Sequence, residues 1–247
     1  MFKVYKALCN DIFLALKRKI FLRNSASILM YHSVGENDEF FTVRPSEFSW
    51  QMEFLSNSGC KVMRLKELLA KILRKEDLPP KSIALTFDDG YEDNYLTAFP
   101  ILKKYNFPAT IFLVTGRIGN KNYVNKRGIN LPMLDWNQIK EMHNSGLIDF
   151  EPHTVSHPKL SQIDYNSAKR EIMESKDVIE NKLNKKCDFF AYPYGDFNKN
   201  VLELVRQNFK GGLSVKKGFI NCDSDTYLLP RNSIDSFTTK LRFKLKI

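Results

Sequence analysis

Cysteine, histidine and long apolar runs are scarce in this sequence, and each scarcity excludes something. The four cysteines (Cys9, Cys60, Cys187 and Cys222) show no CxxC spacing, which argues against a zinc ribbon or a disulfide-stapled scaffold. Free, buried thiols are the expectation. The longest apolar stretches, such as residues 109–114, fall far short of the ~20 residues of a membrane-spanning helix. Glycine and proline number only 11 and 10 in 247 residues, while 43% of residues are hydrophobic and 13% aromatic. That balance rules out collagen-like and disordered chains and leaves ample material for a core.

Acidic residues are in the minority, 28 against 38 lysines and arginines, for a net charge of +10. The excess sits at the ends: residues 1–24 carry +5 and residues 240–247 carry +4. The body is nearly neutral, whereas a nucleic-acid binder would more often show a basic patch on its folded part. No nucleic-acid partner is expected.

Phe2, Tyr5, Leu8, Ile12, Leu16 and Ile20 recur at helical spacing, with basic residues concentrated between Lys17 and Arg23. This predicts a basic amphipathic helix over residues 1–24, which either packs on the body or lies on an anionic membrane surface. Asn10 and Asp11 break any apolar signal-peptide core, and no small-residue cleavage site follows. A cytoplasmic location is therefore expected, peripheral to the inner membrane face if the helix binds lipid.

From Ser27 onward, strand-like and helix-like segments alternate without a repeat or a low-complexity linker. Strands are expected at residues 28–31, 82–87, 109–114, 147–151, 189–192 and 212–215. Helices are expected at 46–57 (with Ser46 as N-cap), 65–74, 95–105 (Pro100 starting a new turn or kinking it), 136–144, 164–183 and 199–207. The long segment 116–135 reads as a lid or wall. Such alternation means parallel βαβ units, and this many without a break favour a closed α/β barrel in one domain, residues 25–247.

In a barrel of this kind the site lies at the carboxyl ends of the strands. Three polar clusters fall there: Thr86-Phe87-Asp88-Asp89-Gly90, His153-Thr154-Val155-Ser156-His157 and Ala191-Tyr192-Pro193-Tyr194-Gly195. Adjacent carboxylates point to opposite sides of an extended chain, so one can hold a cation while its neighbour faces a substrate. Two imidazoles four residues apart converge on one metal if the segment is helical or tightly turned. One Asp and two His supply three ligands and leave a position open, the make-up of a catalytic zinc site.

TFDDG at residues 86–90 and HTVSHP at residues 153–158 resemble the first two motifs of the NodB-homology polysaccharide deacetylases (carbohydrate esterase family 4). The resemblance runs from about residue 28 to residue 235, and AYPYG at 191–195 is similar to the branch acting on poly-N-acetylglucosamine. It implies a distorted (β/α)7 barrel and metal-dependent removal of N-acetyl, sometimes O-acetyl, groups from an acetylated glycan. It further implies Asp89, His153 and His157 as metal ligands and Asp88 as the general base toward the water on that metal. Tyr194 takes the position whose backbone N–H helps hold the oxyanion. Zinc is the first choice of metal, and a His2Asp set also accepts Co2+, Ni2+ or Fe2+.

Two departures from the family pattern stand out. The third motif usually begins with an Arg that orients the catalytic Asp, and here Ala191 takes its place; Arg231 is the candidate to supply that contact. No His follows His157 to serve as the late general acid. His143 falls inside an expected helix, which leaves His32, beside Tyr31 as in the poly-N-acetylglucosamine branch, to protonate the leaving amine. Tyr31 and Trp136 are candidates to line the sugar site, although an aromatic at a helix start is more often core. The competing reading is a catalytically inactive barrel that grips glycan, which rests on Ala191 and the absent late His.

Overall fold

The computed structural model describes residues 24–247 together with Cys9, residues 11–13 and Leu16. Strand β1 (Ala26–Tyr31) leads into the short pair β2 (Ser33–Val34) and β3 (Thr42–Val43), then helix α1 (Pro45–Asn57), β4 (Lys61–Val62) and α2 (Leu65–Leu73). Next come β5 (Ser82–Phe87), α3 (Phe99–Tyr105), β6 (Ala109–Leu113), α4 (Trp136–Asn144), β7 (Ile148–Pro152) and α5 (Tyr165–Leu183). The chain ends with β8 (Phe189–Ala191), α6 (Lys199–Asn208), β9 (Gly211–Leu213), β10 (Asn232–Ser233) and α7 (Lys240–Leu245).

Local chemistry accounts for most helix starts. Asp135 and Gln138 form a reciprocal capping box at α4, while Asp164 and Asn198 cap α5 and α6. Helix α1 starts differently from expectation. Its N-cap is Arg44, without a side-chain cap, and Pro45 at the first helical position replaces the expected Ser46 cap; proline's fixed φ suits that position. Pro100 lies in the first turn of α3. Its ring cannot donate back along the helix, and the preceding Asn94–Ala98 widens into a π turn.

The main sheet is parallel in the order β10-β1-β5-β6-β7, with β4 beside β5. Strands β8 and β9 form a second parallel pair, and Leu213 bridges to Leu229 just ahead of β10. The chain therefore closes into a ring of seven strands, β1, β5, β6, β7, β8, β9 and β10: a distorted (β/α)7 barrel. Two junctions lack a ladder among the described residues: β9–β10 has only that single bridge, and β7–β8 has none. Side chains close the β7–β8 junction instead. Lys185 Nζ donates to Phe150 O (2.6 Å) and pairs with Glu151 Oε1 (2.9 Å), while Phe189 N donates to Glu151 Oε2 (2.9 Å).

Strand alternation divides the core into two layers. Ala26, Ile28, Ala84, Phe112, Phe189, Ala191, Leu213 and Leu229 form one cluster with the apolar face of α2. Leu29, Tyr31, Ile83, Leu85, Phe87 and Ile111 belong to the other, with α1 and α3–α6. None of the four cysteines forms a disulfide, and only Cys187 is buried; Cys9 is exposed and Cys60 and Cys222 are intermediate. No helix among the described residues is long and apolar enough to cross a membrane. The amphipathic helix expected over residues 1–24 lies for the most part outside the described residues. Within that stretch, buried Asp11 pairs with Arg242 (2.7 Å) and Lys217 (3.3 Å).

Candidate active site

Asp88 and Asp89 part company because the strand ends between them. Ala84, Thr86 and Asp88 share one row of β5, and Asp88 N still donates to Tyr31 O (3.0 Å), one step beyond the strand. Asp89 then turns to φ 73°, and Gly90 follows at φ 80°. A Cβ on Gly90 would stand 2.6 Å from Leu113 Cδ2, so only glycine fits the turn.

The two imidazoles converge through a tight turn, not a helix. His153 N continues the β7 pairing by donating to Leu113 O (2.9 Å). Thr154 (φ 70°) and His157 (φ 66°) then reverse the chain. Thr154 Oγ1 accepts from His157 N (2.9 Å), and Glu171 of α5 accepts from Val155 N and Ser156 N (2.8 Å each). His153 Nδ1 lies 2.7 Å from Ala191 O, across the β7–β8 junction. Donation there frees His153 Nε2 as a ligand atom.

One ligand atom from each of Asp89, His153 and His157 lies within 4.8 Å of the others. His157 Nε2 is 3.2 Å from His153 Nε2 and 3.4 Å from Asp89 Oδ1, and His153 Nε2 is 4.0 Å from that oxygen. Tetrahedral bonds of about 2.0–2.1 Å place ligand atoms about 3.3–3.4 Å apart. Asp89 Oδ1 is buried without a hydrogen-bond partner, a state that is costly unless a cation satisfies it. The second Asp89 oxygen accepts from Tyr91 Oη (2.9 Å). Burial, then the neighbouring His153, push His157 down to about 4, which keeps its imidazole in the neutral, ligating form. These residues fit a divalent metal.

Asp88 stands apart from this set and is bound by Arg231. Two guanidinium nitrogens donate to its two oxygens (2.7 and 2.8 Å), and Arg231 Nε donates to Ser214 O (3.0 Å). Arg231 is fully buried. Burial pushes the Asp88 carboxyl up, but the charges of Arg231 and His153 outweigh it and hold the group well below the usual carboxylate range. Arg231 thus makes the contact that Ala191 lacks a side chain to make.

A cleft of about 360 Å³ opens over these groups. His32, Tyr91, Arg117, Tyr123, Lys126 and Tyr194 line it with the acid and imidazole groups. Asn94 Nδ2 donates to His32 O (2.8 Å), and the Tyr194 ring stands edge-on to His157 with centroids 4.5 Å apart. A roomier hollow of about 480 Å³ lies between residues 37–51 and 235–240 and holds none of the ligand groups. Tyr31 and Trp136 do not reach the cleft. Tyr31 is fully buried, stacked on Phe87 and donating to Gln51 Oε1 (2.9 Å), because its strand position faces the helices. Trp136 opens α4 and packs on the main core under Lys182 of α5.

Sequence reasoning missed several cleft residues. Glu39 is buried where Asn125 Nδ2 (2.5 Å) and Arg127 Nη1 (3.1 Å) donate to it, and this ties the loop after β2 to segment 116–135. The length of that segment was the one signal available for Arg117, Tyr123 and Lys126. Of the eight non-glycine residues at positive φ among the described residues, four (Asp89, Thr154, His157 and Tyr194) belong to this site. Backbone strain is concentrated where the chemistry is placed.

A closed parallel barrel whose strand ends hold an Asp-His-His set beside a separate ionised carboxylate has the make-up of a metal-dependent hydrolase. The Polysaccharide deacetylase family profile matches residues 75–209. A poly-beta-1,6-N-acetyl-D-glucosamine N-deacetylase of Staphylococcus epidermidis is 30% identical across 92% of this chain and 85% of its own. The Staphylococcus aureus enzyme of that name is 31% identical across 87% and 80%. Among solved structures, a Streptococcus pyogenes deacetylase, PplD, in complex with acetate aligns at TM-score 0.80 with 29% identity, covering 90% of this chain and 97% of that one. IcaB from Ammonifex degensii aligns at 0.78 with 24% identity over 90% and 97%, a likeness of fold. The chain belongs to the polysaccharide deacetylase family. His32, which lines the cleft, and Arg231, which holds Asp88 from the buried side, both lie outside the matched segment.

Proposed function

We propose that the protein removes N-acetyl groups from N-acetylhexosamine units of a polysaccharide or of its precursor. The observation that carries this reading is the convergence of Asp89, His153 and His157 within 4.8 Å beside the Arg231-paired Asp88. The names of the staphylococcal relatives supply the N-acetylglucosamine class.

A divalent cation held by Asp89, His153 and His157, with zinc the first choice, would polarise the acetyl carbonyl and acidify a water. Asp88 receives the proton as the water oxygen adds to the carbonyl carbon. Its pairing with Arg231 makes it a weak base, so its contribution is orientation as much as basicity. The backbone N–H of Tyr194 donates to the oxyanion. His32, across the cleft, delivers a proton to nitrogen as the C–N bond breaks, and the products are acetate and the free amine. The Arg231–Asp88 contact counts against the inactive glycan-binding reading, because it replaces the orienting group whose absence was one of that reading's two supports.

The test is acetate release from N-acetylglucosamine oligomers by metal-loaded, chelator-stripped and zinc-restored protein. The expected result is metal-dependent release that falls by about 10³-fold or more in Asp88→Asn and by 10²-fold or more in His32→Gln. Full activity in Asp88→Asn would remove Asp88 from the mechanism. No acetate from protein carrying one zinc per chain would favour the binding barrel.

A further inference from the structure

The charge lining the cleft exceeds what hydrolysis of a neutral amide requires. Every carboxylate there is spoken for: Asp88 by Arg231, Glu39 by Arg127 and Asn125, and Asp89 by the metal set. Two cations have no such partner among the described residues. Arg117 lies over the Tyr123 ring (4.6 Å), and its one side-chain hydrogen bond is a long one of 3.4 Å to Ser156 O. Lys126 is exposed at the cleft wall with no ion pair. With a divalent ion in place, the cleft carries a clear positive excess that its concave walls focus.

We propose that the glycan this cleft takes is anionic: the reacting acetamido sugar carries, or adjoins, a phosphate or carboxylate that Arg117 and Lys126 bind. The stacking on Tyr123 holds the Arg117 fork ready for a paired contact with such an oxyanion, and Lys126 adds a point charge from the exposed rim. The proposal deepens the deacetylase reading and rests on it. The positive cleft also repels the ammonium product, which speeds its departure.

The test compares three probes on metal-loaded protein: methyl N-acetylglucosaminide, N-acetylglucosamine 1-phosphate and an N-acetylglucosaminyl-uronate disaccharide. At low ionic strength, kcat/KM for at least one anionic probe should exceed that for the neutral glycoside by about tenfold or more, given the usual strength of a charged hydrogen bond. The ratio should collapse toward one in Arg117→Gln/Lys126→Gln and shrink with added salt. The phosphate and uronate arms identify which anion is preferred. A ratio near one in the unmodified protein overturns the proposal. So does a double variant that loses both substrates in parallel, which would put Arg117 on the reacting acyl group instead. If no probe releases acetate, the deacetylase reading has failed on these sugars, and calorimetric binding decides the anion question. Tighter binding of the anionic probes, weakened about tenfold or more in the double variant, upholds it, and equal binding of all three rejects it.

Discussion

Asp88 is buried and ionised in the barrel because Arg231, itself fully buried, meets it with two hydrogen bonds of 2.7 and 2.8 Å. Deleting one member leaves the other's charge unmatched, at a cost of about 3–5 kcal/mol. Arg231→Met should therefore lower unfolding stability by that order in urea titrations near pH 7. The pH dependence gives the sharper check. In the unmodified protein the Asp88 carboxyl lies below its ordinary value, so its stabilising contribution is complete above the unfolded value near 3.9 and is lost as pH falls through the folded one. In Arg231→Met, burial acts without the guanidinium and raises the folded value. The sign then reverses: the contribution is present below the unfolded value and is lost as pH rises. The variant's deficit should be smallest near pH 4 and widen toward pH 7. A deficit that stays constant over that range would mean Asp88 is not the group that suffers. The motif around Asp88 was legible from five consecutive residues, but its partner stands 143 residues away and only the fold could supply it.

At the scale of elements, the β7–β8 junction decides how the third motif meets the second. With no ladder there, Lys185 and Glu151 fix the spacing across which His153 Nδ1 reaches Ala191 O. Burial pushes the Glu151 carboxyl up to about 7 even with Lys185 beside it. Lys185→Met should cost about 3 kcal/mol, since it strands a buried acid. Adding Glu151→Gln should recover about 1 kcal/mol or more, because the amide oxygen still accepts from Phe189 N and no charge is left behind. Denaturant titrations of both single variants and the double variant measure that coupling, and strict additivity would show that the pair does not act as a unit. Elements bounded by strong local signals were readable in advance. Helix α4 matches its expected span because Asp135 and Gln138 cap it, and β5 matches because Pro79-Pro80 and the Asp88-Asp89 turn bracket it. The two-residue strands β4 and β10 carry no periodicity, and β10, which closes the ring, gave no sign of itself. Whether the two histidines met through a helix or a turn depended on Glu171, fourteen residues beyond His157 and invisible to local spacing.

For the molecule as a whole, the ligands follow two strands, Asp89 after β5 and His153 and His157 after β7, so they meet only when β5, β6 and β7 are paired in register. The unfolded chain has no such site, and metal binding is therefore linked to folding. A ligand at a thousandfold excess over its Kd stabilises the native state by about 4 kcal/mol. For a chain of this length each kcal/mol moves Tm by about 2–4 °C, so zinc should raise the Tm of chelator-stripped protein by about 8–16 °C. The same energy offsets part of the strain at Asp89, Thr154 and His157, all at positive φ. Asp89→Asn should abolish most of the zinc-dependent rise, whereas Asp88→Asn should retain it while acetate release is lost. Calorimetric scans with and without zinc separate the two roles in a way that activity alone does not. If the rise survives Asp89→Asn, the cation sits elsewhere. If it disappears equally in both variants, Asp88 contributes to holding the metal, and the general-base assignment must pass to another group.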